Sequence, residues 1–163
     1  SFKAFCSLLG ALNITEFNYR YSDTRFAHVF VGLSVHDGDE SSQIVKLLRQ
    51  QGLEALDMTD NEMAKLHIRH LVGGHAAGAK NELLYRFEFP ERPGALMRFL
   101  DSMSQGWNIS LFHYRNHGAD YGRILVGIQV PSHDKSDFQK FLDSLGYPCW
   151  DESHNPAYQL FLA

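Results

Sequence analysis

Apolar residues follow two different periods along this chain, and both are clear in its second half. From Leu84 to Phe89, aliphatic and aromatic residues favour a β-strand, which Pro90 and Pro93 close. Beyond Gly94, apolar residues recur at i, i+3, i+4 and i+7, which predicts an amphipathic helix. These residues are Leu96, Phe99, Leu100 and Met103.

A strand pair and a second helix follow. Residues 109–114 and 123–130 are rich in β-branched and aromatic residues, and the NHGAD segment between them suits a turn, so they predict a hairpin. Residues 133–146 have apolar residues at helical spacing and end at Gly146, a common helix stop. We expect one strand near Cys149 and an extra one over AYQLFLA, residues 157–163. The order indicates a βαββαβ unit plus one strand.

The first half of the chain repeats this pattern. The phrase NITEFNYR, Asn13–Arg20, returns 95 positions later as NISLFHYR, Asn108–Arg115. At the same offset, FVGLSV at 30–35 falls on LVGIQV at 125–130. A repeat of this length indicates a duplicated folding unit.

The repeat divides the chain into two units. We expect subdomains over residues 1–72 and 84–163, joined by a Gly- and Ala-rich linker over 73–83. A phosphate cradle in the linker would be followed by Lys-Ser or Lys-Thr at a helix start, and it is not. The predicted fold class is α+β: two tandem ferredoxin-like units with antiparallel sheets and helices on one face.

The first unit has no counterpart of the strand at 84–89, because Ser1 already falls within its first helix. The first strand of such a sheet is central, so two ladders of backbone groups would lack a partner. We expect a preceding stretch of a longer protein, or a partner chain, to fill the gap. Within the chain the spare strand is LHIRHLV, residues 66–72, preceded by a short helix that a capping-box pattern at 59–62 begins.

Composition and charge narrow the function classes. The chain is 44% hydrophobic and 21% charged, which is typical of a globular protein. Its net charge of -4 opposes binding to nucleic acid or anionic membrane, and no run reaches the ~20 apolar residues of a membrane span. Cys6 and Cys149 form no disulfide framework, so we expect a cytoplasmic protein. In that compartment the glycosylation sequons at Asn13 and Asn108 would not be glycosylated.

The nine histidines do not predict a metal site. His67 and His70 would point to opposite faces of a strand, and His113 and His117 have no acidic or thiolate partner spaced with them. No lysine lies in a pattern that indicates cofactor attachment, and the two cysteines are expected to be small buried apolar residues. We therefore predict no catalytic residue, metal or cofactor in this chain.

Three longer strings resemble a known family. They lie at residues 87–101, 107–131 and 58–74, and they resemble the C-terminal regulatory region of biosynthetic threonine dehydratase, also called threonine deaminase. The resemblance implies two ACT-like subdomains that bind isoleucine as inhibitor and valine as activator, in a homo-oligomer. It further implies a pyridoxal phosphate domain on the same polypeptide, which deaminates L-threonine to 2-oxobutanoate and ammonia in isoleucine biosynthesis. This chain alone would be catalytically silent.

An amino-acid effector presents a carboxylate, an ammonium and a side chain. The amides of Gly94, Ala95 and Leu96 at a helix N-terminus, with Arg92 before them, suit a carboxylate. The alternative is a plain strand-to-helix turn. Leu96 and Leu100 lie one helical turn apart, and the resemblance makes both candidates for lining the effector pocket, with ordinary core packing as the alternative.

The repeated phrase supplies the remaining candidates for effector binding. Because strand residues alternate faces, Phe112 and Tyr114 share one face and His113 and Arg115 the other, so one pair can enter the core while the other meets a partner subdomain or effector. The candidates are Phe17, Asn18 and Tyr19 in the first copy and Phe112, His113, Tyr114 and Arg115 in the second.

The two copies differ where their recognition could diverge, at Glu16 against Leu111 and Asn18 against His113. One methylene is worth only about 1–3 kcal/mol in an apolar pocket, so opposite effects of isoleucine and valine favour two sites or two conformations. Two other functions stay open. An RNA-binding ferredoxin-like domain is opposed by the acidic balance and by the absent aromatic motif; a module that mainly drives oligomerisation is the second.

Overall fold

The computed structural model describes residues 2–10, 12–22, 24–62, 64–71, 73–103, 106–116, 118 and 120–163. The strands are β1 Asn13–Arg20, β2 Val29–Ser34, β3 Glu82–Pro90, β4 Asn108–Arg115, β5 Tyr121–Gln129 and β6 Cys149–Asp151. The helices are α1 Phe2–Leu9, α2 Gly38–Gln50, α3 Arg69–Leu71, α4 Ala95–Met103, α5 Lys135–Leu145 and α6 Pro156–Phe161. A π-helical segment, Ala64–Ile68, leads into α3, and a 3-10 turn, Ser132–Asp134, leads into α5.

The six strands form one antiparallel sheet in the order β2-β1-β4-β5-β3-β6. This confirms the α+β class of tandem ferredoxin-like units. The strands of the second unit, β4-β5-β3-β6, have the order of a complete ferredoxin-like sheet. The strands of the first unit, β2 and β1, continue it through the pairing of β1 with β4.

The two copies of the repeated phrase are the strands that join the units. In the antiparallel ladder Asn18 lies opposite His113, while Phe17 faces Tyr114 and Tyr19 faces Phe112. Asn18 and His113 are equivalent positions of the repeat, so a local two-fold axis passes between them. The phrase therefore occurs twice because each copy is half of one symmetric junction.

The main core lies on one face of this sheet, where aromatic side chains from the strands meet the helices. Phe99 of α4 is fully buried, with its ring 5.1 Å from that of Phe87 and 5.8 Å from that of Phe89. Cys6 of α1 and Phe138 of α5 belong to the same cluster, and Leu48 of α2 packs against it. The predicted strand 84–89, both helices and the hairpin of the second unit are confirmed.

The last predicted strand, AYQLFLA, is wrong, because most of this segment forms α6. The side chain of Asn155 accepts a hydrogen bond of 2.9 Å from the amide of Ala157, and Pro156 occupies the first turn, which together fix a helix start. Tyr158 then packs with Leu84 and Leu111 on the second face of the sheet.

The spare strand predicted at LHIRHLV is also wrong, since residues 64–71 are helical and Val72 lies outside the described residues. The cap of this helix is Asn61, whose side chain accepts the amide of Ala64 at 2.9 Å. Thr59 instead donates to Asp57 through both its amide and its hydroxyl. The predicted short helix is present, but it continues through the apolar segment.

One edge of the sheet is open at β2. No strand of the described residues pairs with its outer side. Residues 55–57, which align with β6, adopt no regular structure. In the second unit, β3 lies between the equivalents of these two segments, so both first-unit segments lack the partner that β3 supplies there. Leu56 and Leu47 beside this gap are 75% and 43% exposed, an arrangement that leaves apolar surface uncovered.

Candidate functional site

The sheet separates most of the predicted effector-binding residues into two groups, one on each face. Phe112 and Tyr114 are buried in the main core, whereas His113 is exposed and Arg115 half-buried on the other face, as the alternation predicted. The core group comprises Phe17, Tyr19, Leu96, Leu100, Phe112 and Tyr114. Asn18, His113 and Arg115 belong to the second face, so the predicted residues do not form a single site.

The core group packs against itself. The rings of Phe17 and Phe112 meet edge to face at 5.2 Å, and Leu100 is buried in the same cluster. Two surface grooves lie elsewhere: one of about 530 Å³ between α2 and Asp57, and one of about 470 Å³ lined by Glu82 and α6. Neither groove is lined by a residue of the core group.

The turn between β3 and α4 gathers several predicted residues. Gly94 has a φ of +77°, a conformation that favours glycine, and the exposed Arg92 precedes it. The amide of Ala95 donates to the carbonyl of Arg92 at 2.9 Å. The prediction that this amide is open to a ligand is therefore wrong.

Glu91 also belongs to this turn, and the sequence reasoning did not single it out. The hydroxyl of Tyr114 donates to its carboxylate at 3.1 Å, which ties the turn to β4. Burial raises the pKa of the Tyr114 phenol, and the negative charge of Glu91 raises it further. Gly122 leaves room for this contact, since a Cβ there would lie 2.7 Å from Glu91 Oε2. This acidic residue lies directly beside Arg92 in the sequence, where it was visible as a candidate.

A second polar cluster lies on the opposite face, around Glu16. This buried carboxylate is paired with Arg69 and accepts a hydrogen bond of 3.0 Å from Asn18 Nδ2. Burial alone would raise its pKa, but the bonds from Arg69 and Asn18 and the charge of Arg115 outweigh burial and lower it. Glu16 and Asn18, two of the positions at which the repeat copies differ, thus form a polar pair where the second copy has Leu111 and His113.

Metal binding gains no support within the described residues, which contain no group of three or more His, Cys, Asp or Glu able to hold an ion. His67 and His70 lie on a helical segment, so the prediction that they point to opposite faces of a strand is wrong. His117 lies outside the described residues. Burial and the charge of Asp101 raise the pKa of Cys6 to about 12, consistent with an unreactive thiol.

No helix in the described ranges is long and apolar enough to span a membrane.

The duplicated α+β unit with its continuous sheet places the protein in the class of tandem ferredoxin-like, ACT-like domains. A family model described as the C-terminal regulatory domain of threonine dehydratase matches residues 1–68 and 73–162. The chain belongs to this family. The resemblance inferred from the three strings is thereby confirmed, and the RNA-binding alternative is set aside.

Relatives in bacteria and yeast are named threonine dehydratases. The chain is 56% identical to L-threonine dehydratase biosynthetic IlvA of Burkholderia multivorans over 100% of its length and 32% of that protein. It is 50% identical to the Escherichia coli protein of the same name, again over 100% of the chain and 32% of the relative. The mitochondrial threonine dehydratase of Saccharomyces cerevisiae is 47% identical over 99% of the chain and 30% of that protein. The chain thus spans about a third of these relatives.

Proposed function

We propose that this chain is the amino-acid sensor of a biosynthetic threonine dehydratase, with isoleucine as inhibitor and valine as activator. Membership of the regulatory-domain family supports this proposal. The reaction, deamination of L-threonine to 2-oxobutanoate and ammonia, belongs to a pyridoxal phosphate domain elsewhere on the polypeptide. A lysine that forms a Schiff base is normally desolvated, and the lysine side chains that the structure describes are exposed, so none of these described lysines fits the cofactor. These are Lys46, Lys65, Lys80, Lys135 and Lys140.

The turn before α4 is the proposed effector site of the second unit. Glu91 supplies a carboxylate for the effector's ammonium, and Arg92 supplies a guanidinium for its carboxylate at a helix N-terminus, where the helix dipole favours an anion. The hydrogen bond from Tyr114 to Glu91 is the observation that carries the proposal. It connects the turn to β4, and β4 pairs with β1, so occupancy of the turn acts on the junction between the units.

The proposed subdomains cover residues 1–72 and 84–163, with a linker over 73–83. The first subdomain is proposed to carry a second effector site. Tyr19 is the repeat counterpart of Tyr114 and is likewise buried in the core beside Phe17. Asn18 lies on the other face, where its amide binds Glu16, so it does not belong to the same site as Tyr19. Two sites, one in each unit, would account for opposite responses to two effectors that differ by one methylene.

Calorimetric titration of the full-length protein with isoleucine and then valine tests the proposed site. We expect Arg92→Ala and Glu91→Gln to weaken binding about 10- to 100-fold, because a hydrogen bond to a charged group contributes about 1.5–3 kcal/mol. Lys140→Ala, which removes a 75% exposed charge from α5, is the matched control. If both variants bind like this control, the turn is not the site. If the wild type binds neither amino acid at millimolar concentration, the sensor function is refuted.

The open edge of β2 is the second feature with a proposed role. We propose that the polypeptide preceding residue 1 in the longer protein pairs with β2, in the position that β3 takes beside β5. Amide hydrogen exchange in β2 should then be slower in the full-length protein than in this chain. Slow exchange that requires a high protein concentration would instead indicate a partner chain, and hence a homo-oligomer formed through this edge.

A further inference from the structure

A buried ion pair forms a second link between the two units, and it starts at the last pair of the ladder between β1 and β4. Arg20 ends β1 in the first unit, and Glu82 begins β3, two residues before the predicted start of the second unit. Their side chains are only 3% and 4% exposed, and the guanidinium forms bonds to both carboxylate oxygens. The strands that carry them are separated by β4 and β5, so the pair crosses two intervening strands.

The ion pair also holds segments outside the sheet. Arg20 donates to the carbonyl of Gly74 at 2.9 Å and to the carbonyl of Leu162, just after α6. The carboxylate of Glu82 accepts the hydroxyls of Tyr158, at 2.7 Å, and Ser110. The first unit, the segment between the units, the sheet of the second unit and its last helix therefore meet at one charged pair.

The carboxylate reaches Arg20 because β5 has a glycine beneath it. A Cβ at Gly127 would lie 2.6 Å from Glu82 Oε1 and 2.8 Å from the Cβ of Leu111. Burial alone would raise the pKa of Glu82, but the bonds from Arg20, Ser110 and Tyr158 outweigh it and lower the pKa. The carboxylate is therefore charged at neutral pH and is held in place on every side.

This geometry adds one pair of side chains to the ladder and the core that orient the two units. The ladder between β1 and β4 joins the units near the two-fold axis, and a rotation about this ladder would separate groups that lie two strands apart. A bidentate arginine–carboxylate pair imposes a specific geometry, and a buried one is costly to break because each charge loses its partner. The pair therefore opposes rotation of one unit relative to the other.

We propose that the Arg20–Glu82 pair is the positioning element that couples effector binding in one unit to effector binding in the other. The inference rests on the proposed function, because it requires two effector sites. Neither residue contacts an effector in this proposal. Both act through the orientation of the units, so removing the pair should abolish the influence of one effector on the other while leaving each binding event intact.

The test measures coupling in the full-length protein, as the ratio of isoleucine affinities without and with saturating valine. Couplings between sites are typically about 5- to 150-fold. We expect Glu82→Gln to reduce the ratio to within about twofold of unity, with the affinity for each effector alone and the basal deamination rate unchanged. Glu152→Gln is the matched control, because it removes a carboxylate that pairs with Arg86 within the second unit.

A second control separates coupling from stability. Leu142→Ala weakens the core of the second unit without touching the ion pair, so it should lower the urea midpoint and keep the wild-type ratio. If Glu82→Gln does not fold, the Arg20→Met/Glu82→Leu double variant removes both buried charges and should fold with the same loss of coupling.

The outcomes distinguish this inference from the proposed function. A wild-type ratio in a folded variant that lacks the pair overturns the inference alone, as does a wild-type protein that binds both effectors independently. Loss of effector affinity in Glu82→Gln, with the ratio retained, also overturns it, because the residue would then belong to a binding site. A wild-type protein that binds neither effector overturns both proposals.

Discussion

Gly127→Ala should destabilise this domain because the added methyl group would enter the space of a fixed carboxylate. A Cβ at this position would lie 2.6 Å from Glu82 Oε1, 2.8 Å from Leu111 Cβ and 3.0 Å from Ser110 Oγ. All three distances are shorter than the ~3.5–4.0 Å of a favourable contact. Glu82 cannot retreat without weakening its bonds to Arg20.

The expected cost follows from these contacts. Overpacking alone costs about 1–3 kcal/mol, which in a domain of this size lowers the thermal midpoint by about 2–12 °C. If the carboxylate moves away from Arg20, an unpaired buried charge raises the cost to about 3–5 kcal/mol. In a Glu82→Ala background, Gly127→Ala should cost less, because the nearest oxygen is gone.

Urea unfolding followed by circular dichroism measures this cost, with Gly38→Ala as the control. Gly38 begins α2, and a Cβ there would meet nothing within 4 Å, so this variant should lie within about 0.5 kcal/mol of the wild type. A Gly127→Ala protein that is also within about 0.5 kcal/mol of the wild type would refute the reasoning. The carboxylate of Glu82 could not then lie above β5.

Three further predictions follow from the core, the ion pair and the last helix. Phe99→Ala should lower the free energy of unfolding by about 3–5 kcal/mol in urea, and a loss below about 1 kcal/mol would contradict its full burial. The folded-state pKa of Glu82 lies below its ordinary value of 4.5, so its contribution to stability is complete above about pH 4.5 and is lost as pH falls through the folded-state pKa. Urea midpoints measured against pH should therefore fall more gently below pH 4.5 in Glu82→Gln. Asn155→Ala should remove the cap of α6, cost about 1 kcal/mol and speed amide exchange in that helix, and unchanged exchange there would exclude a capping role.

The elements that the sequence predicted well are those whose burial imposes one period over a long segment. In β3 every second side chain, as at Phe87 and Phe89, enters the main core, and in α4 a stripe that includes Leu96 and Phe99 does so. Each segment is long enough that only one period fits. The hairpin of β4 and β5 was predictable for the same reason, because a turn signal separates two such segments.

The two wrong strands are short apolar segments that fit either period, and their caps decided between helix and strand. Asn61 and Asn155 accept the amides of Ala64 and Ala157, so each segment begins as a helix. Both asparagines were visible in the sequence, but apolar composition alone favoured strands.

The ion pair lay beyond sequence reasoning for a different reason. Arg20 and Glu82 are 62 positions apart in the sequence. They meet only because the sheet places β1 and β3 with just two strands between them. Glu91 was within reach, since it adjoins Arg92, but its bond to Tyr114 depends on the folded turn.

The ladder between β1 and β4 has the form of a contact between two identical subunits, although one chain supplies both sides. In a symmetric dimer any substitution at such a contact appears on both sides of the axis, so each residue must be compatible with its own copy. Fusion of the halves removes that constraint. Asn18 and His113 face each other as residues that can change one at a time, and the first half has a buried carboxylate at Glu16 where the second has Leu111. Covalent fusion thus allows different residues on the two sides of a two-fold contact.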